Sequence, residues 1–111
     1  MNVSPKLAMA FAIPAFRLEV RRLLRLMGHI SEMEQTGKIH EIANAYSQDS
    51  ICEFIDISDS LMNTFKSMEE VNAAEGNPFG AQLLVLKCEL DGARQAVNEF
   101  VQKCKQNGGP A

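Results

Sequence analysis

The sequence predicts an all-α protein, an antiparallel three-helix bundle in a single domain, and three observations predict it. Apolar residues recur at alternating steps of three and four in three separate stretches, the spacing of one face of an α-helix. No β-branched alternating run and no hairpin dipeptide lies between apolar segments, so nothing argues for strands. The chain has 111 residues, 46% of them hydrophobic, which suffices for one core and falls short of two. The alternative architecture adds a short fourth helix over residues 39–46.

The first helix is expected over about 5–36. Phe16, Val20, Leu23, Met27 and Ile30 form its stripe, and Ser4-Pro5 supplies a capping residue followed by proline at the first helical position. A start at Pro14 is the alternative, because proline inside a helix removes a hydrogen bond and kinks the axis. Gly37 ends the element. The second helix is expected over about 39–71, either continuous or broken near 47–50. Its stripe is Ile51, Phe54, Ser58, Leu61, Phe65 and Met68, and Ser50 with Glu53 has capping-box spacing. Ile39, Ile42, Ala43 and Tyr46 are helical in spacing but sit in a different register. Residues 72–77, with Gly76, read as a loop. Asn77-Pro78 then repeats the cap-and-proline signal for a third helix over about 78–106, carried by Leu83, Leu86, Leu90, Ala93, Val97, Phe100 and Cys104. Phe54, Leu61, Phe65, Leu90 and Val97 are the expected heart of the core.

Composition excludes several classes of function. The net charge of -3 argues against a nucleic-acid partner, whose usual footprint is strongly basic. Three cysteines, at 52, 88 and 104, cannot close into a set of internal disulfides, which fits a reducing cytoplasm; Cys104 falls on the third stripe, and Cys52 and Cys88 are expected at seam edges as small hydrophobes. The charge-free stretch Leu7–Phe16 is half the length of a spanning helix and runs on into the amphipathic pattern, so it reads as helix rather than as a leader, and no membrane partner is expected. The two histidines, His29 and His40, have no nucleophile placed beside them, and His40-Glu41 with a cysteine lacks any compact metal-ligand spacing. Without a phosphate loop or GxSxG elbow either, the expectation is no enzyme, no metal and no cofactor.

Some apolar residues lie off the stripes. Leu7, Phe11 and Leu18 are on the far side of the first helix, and Ile55, Ile57 and Met62 flank the seam of the second. A centrally placed second helix touching both neighbours would absorb part of this surplus. Self-association would absorb the rest, so Leu7, Phe11, Leu18, Ile55 and Met62 are the candidate dimer or second interface of a homodimer.

The charges are segregated. Residues 1–30 carry Lys6, Arg17, Arg21, Arg22 and Arg25 against Glu19, a net +4, whereas 39–70 carry Glu41, Asp49, Glu53, Asp56, Asp59, Glu69 and Glu70 against Lys66, a net −6. On the second helix Asp49, Glu53, Asp56, Asp59, Ser60 and Asn63 follow helical spacing on a face distinct from Phe54, Ser58, Leu61 and Phe65. A solvated face is the plain account of such a run. Like charges at this spacing lower helix stability, however, so a face this uniformly acidic is a candidate docking surface for a protein with a basic surface. Arg17, Arg21 and Arg25 are expected to reach across to the second helix, within the bundle or across a dimer.

The opening Met1-Asn2-Val3-Ser4-Pro5, the acidic helix with Asp59-Ser60-Leu61-Met62-Asn63-Thr64-Phe65, and the Pro78-Phe79 step into a last helix together resemble the small helical immunity proteins that neutralise type VI secretion toxins inside the producing bacterium. The resemblance lies in layout and charge. It implies a non-enzymatic cytoplasmic protein, often dimeric, that silences a toxin through an acidic helical face. The readings set against it are a secretion chaperone or adaptor cradling an effector segment on Leu7, Phe11 and Leu18, and a phage-encoded inhibitor of a host complex whose acidic stripe imitates phosphates.

Overall fold

In the computed structural model, residues 3–37 and 48–107 are described, with side chains over 3–37 and 51–104. Helix α1 runs Pro5–Gln35. The Ser4 hydroxyl accepts from the Leu7 backbone N–H at 3.1 Å and so satisfies one of the donors that a helix start leaves orphaned. The start at Pro5 is therefore the one adopted, and Pro14 lies within the helix. Proline there takes the donor from the Ala10 carbonyl, but Ala10 and Pro14 are both exposed, so water can replace it. At the other end Thr36 is the cap, and Gly37 takes the left-handed conformation with φ 77°, which a glycine adopts without strain.

Helix α2 spans Gln48–Ala74 and helix α3 spans Gly80–Asn107. The expected short helix over 39–46 lies outside the described residues. Two expectations at the α2–α3 junction need correction. The loop expected from residue 72 starts later, because Asn72 prolongs the buried stripe of α2 one step beyond Met68. The start of α3 also falls after Asn77-Pro78: Asn77 has φ 65°, and the first helical bond runs from the Leu83 N–H to the Phe79 carbonyl at 2.9 Å.

Asn72 organises this turn. It is only 5% exposed, and its side-chain oxygen accepts from the Phe79 N–H at 2.8 Å while its Nδ2 donates to Asn77 Oδ1 at 2.6 Å. Its backbone carbonyl accepts from Asn77 N at 2.8 Å. Gly80 is needed at the helix start, since a Cβ there would sit 2.7 Å from Asn77 Oδ1.

The three helices pack up, down and up. Arg17 pairs with Glu89 and Glu34 with Lys103, so α1 and α3 advance in the same direction, with α2 antiparallel to both. The result is a rod of 54 × 22 × 22 Å. The core runs its length, from Met9, Phe16, Val20, Leu23, Met27 and Ile30 on α1, through Phe54, Leu61, Phe65 and Met68 on α2, to Leu83, Leu86, Leu90, Ala93, Val97, Phe100 and Val101 on α3. All five residues expected at its heart are buried. Phe16 and Phe65 tilt together at 6.2 Å between ring centroids, and Phe54 meets Phe100 edge to face at 5.8 Å. The central helix is α3 rather than α2: it packs extensively on both others, whereas α1 and α2 touch least. Among the described residues it buries seven apolar side chains, against six of α1 and four of α2, and fully buried Ala93 lets its neighbours come close.

Candidate functional site

Glu53, Asp56, Asp59, Ser60 and Asn63 are all exposed on α2, because the 3.6-residue period that buries Phe54, Ser58, Leu61 and Phe65 turns the intervening positions outward. Asp49 belongs to the first turn of α2, and its side chain lies outside the described ones. The exposed residues divide between two flanks. Asp56 and Ser60 border a groove between α1 and α2, whose other walls are Glu19, Arg22, Leu23, Leu26, Ile57 and Leu61. Asp59 turns toward α3, where Arg94 Nη1 lies 3.4 Å from its Oδ1. The stronger contacts of Arg94 are with the Ser58 carbonyl at 2.6 Å and the Ser58 hydroxyl at 3.3 Å. Ser58 is thus a buried polar residue with its own partner.

The arginines of α1 go elsewhere than expected. Arg17 donates from Nη2 to Glu89 Oε1 at 2.7 Å and from Nε to both carboxylate oxygens at 3.1 and 3.3 Å, and Arg21 Nε stands 3.9 Å from Glu89 Oε2. Both therefore face α3. The α3 seam is where α1 packs most closely, and Glu89 is the acid at its edge. Arg17 holds the Glu89 carboxyl below the usual carboxylate range, first through the hydrogen bond, with the Arg17 and Arg21 charges adding to it against partial burial. Glu53 and Asp56 form no ion pair among the described residues, nor does Arg25. Glu53 and Asp56 are thus left without an ion pair from α1, with Arg22 across the groove from Asp56 as the nearest basic residue of that lining.

The five residues of the candidate second interface do not share one surface. Leu7, Phe11 and Leu18 are exposed on the outer side of α1, with Phe11 at 70%. Ile55 and Met62 are on α2, on the flank toward α3, and Met62 packs against the core. Cys52 and Cys88 are exposed rather than tucked at seam edges, because each lies outside the three-four register of its helix. Cys104 is partly covered, and burial pushes its thiol upward with help from the Glu34 charge.

Among the described residues no three of His, Cys, Asp and Glu come together in a way that could hold a metal, and no helix is long and apolar enough to cross a membrane. His40 and Glu41 lie outside those residues. Glu89, Arg94 and Asn72 were not singled out from sequence. Only for Asn72 was a signal present, in the step of four from Met68. Compared with known proteins, the chain matches no family model, and no curated protein or solved structure matches it significantly.

Proposed function

We propose that the chain is a non-enzymatic binding domain that neutralises a protein with a basic surface, its most concrete form being an immunity protein that silences a secreted bacterial toxin inside the producing cell. One observation carries this reading: Arg17 and Arg21 turn to Glu89 on α3, leaving Glu53, Asp56 and Asn63 outward on α2. Carboxylates such as Glu53 and Asp56, which form no ion pair among the described residues, keep their field for an incoming cation, which raises the association rate and selects the partner. The resemblance to immunity proteins supplies the toxin as the partner class.

A chaperone for a secreted effector is the second reading, and the groove floored by Leu23, Leu26, Ile57 and Leu61 favours it, since an amphipathic segment could lie there. Affinity capture from the native organism separates the two. The acidic-face reading predicts a basic partner that elutes with moderate salt and is lost from bait carrying Asp56→Lys and Asp59→Lys. A partner retained by that bait and lost from Ile57→Asp bait would place binding in the groove instead.

A further inference from the structure

The outer side of α1 has no partner in the bundle. Leu7, Phe11, Pro14 and Leu18 follow steps of four, three and four, displaced by two residues, about 200° around the helix, from buried Met9, Phe16 and Val20. They therefore point directly away from the core. Leu7, Phe11 and Leu18 are exposed, and Val3 joins them ahead of the cap. The same row then continues into Arg22 and Arg25, both exposed and in no ion pair among the described residues, and Lys6 stands free beside its start. Glu19 is the one acid between Val3 and Arg25, and it lines the groove with α2, which Arg22 also borders from the edge of the row.

We propose that this face rests on an anionic bilayer surface, with Leu7, Phe11 and Leu18 entering the headgroup boundary and Lys6, Arg22 and Arg25 meeting lipid phosphates. Such a surface offers what the row asks for, an apolar layer directly beneath a negative one, and a helix lying in that plane needs no spanning length. The expectation of no membrane partner rested on span length alone. A second copy fits less well. Pairing this face with itself in parallel sets Arg22 and Arg25 against their own counterparts, and pairing it antiparallel brings them toward Lys6. α2 supplies charge with Asp56 and Asp59, but its exposed large apolar side chains do not form one row, Ile55 and Ile57 lying on opposite flanks and Val71 about four turns further on, and α3 offers only Leu84 and Val85 among the described residues. With α1 on the lipid, the outer face of α2 stays in water, so the proposal stands apart from the reading of the acidic face.

The test is co-sedimentation with vesicles of mixed phosphatidylcholine and phosphatidylglycerol, and with vesicles of phosphatidylcholine alone. The intact chain is expected to sediment with the anionic vesicles and remain in solution with the neutral ones. Raised salt should weaken binding. Phe11→Asp with Leu18→Asp should abolish it, and Arg22→Glu with Arg25→Glu should lower partitioning at least about twentyfold, on the order of fivefold for each of the two charges removed. Asp56→Lys on α2 should not reduce it. All these positions are exposed, so an unchanged helical spectrum and melting temperature are expected of every variant. Absence of the chain from the anionic pellet would overturn the proposal, as would equal binding by the Phe11/Leu18 variant. Light scattering that shows a dimer dissolved by Phe11→Asp would also overturn it, by giving the face to a second copy.

Discussion

Arg17 of α1 and Glu89 of α3 form a forked ion pair, closing to 2.7 Å, across the seam where the first and last helices run side by side. With Arg21 at 3.9 Å from the same carboxylate, the pair turns two of the arginines of α1 toward α3 rather than α2. It also sets a pH dependence. The folded carboxyl of Glu89 titrates below its ordinary value, so its contribution to stability is fully present above that value, about pH 4.3, and is lost as pH falls through the lower folded value. Urea midpoints of the parent and Glu89→Gln should differ by a constant amount from neutral pH down to about pH 5 and converge below pH 4. A gap that widens on acidification would contradict the pairing.

Truncating Phe65, 1% exposed and tilted against Phe16, should lower stability by about 3–5 kcal/mol, a large share of what a domain of this size possesses. Chemical denaturation followed by circular dichroism reads the loss. A change near zero would mean that the register of α2 is misassigned.

Asn72→Ala removes the acceptor of the Phe79 N–H and the donor to Asn77, so a loss of about 1–3 kcal/mol is expected. Asn72→Leu, which restores volume and adds apolar character, should remain destabilised, since the Phe79 N–H still lacks its partner. Recovery to the parental midpoint would show that this position needs only bulk.

The periodicity of the sequence contains the three helices and every residue of the expected core, because helices of this length cannot hide a three-four stripe. Once Phe54, Ser58, Leu61 and Phe65 point inward, the outward direction of Asp56 and Asn63 follows, as does that of Phe11 from Phe16 and Val20. Rotation of one helix against another is not written in periodicity, so nothing local told Arg17 to meet Glu89 on α3 or Arg94 to meet Ser58 on α2. Asn72 was missed for a different reason: a polar residue ended the apolar pattern although the spacing continued. The central place of α3 depends on which helix buries the most side chains, a comparison that element-by-element reading does not make.

Reversing Asp56 and Asp59 to lysine should leave the helical signal unchanged and shift stability by no more than about 1 kcal/mol, because both are exposed and Asp59 meets Arg94 only at 3.4 Å. Thermal melts of the parent and the double variant check this. A loss of several kcal/mol would make the acidic row structural.

The association rate of the captured basic partner with the parent and with the Asp56→Lys, Asp59→Lys variant, measured across ionic strength, tests the acidic-face account most directly. The account predicts fast, salt-sensitive association with the parent and a slower, nearly salt-independent rate with the folded variant. Equal rates and equal salt dependence for the two proteins at low ionic strength would reduce the outer face of α2 to a solvated surface.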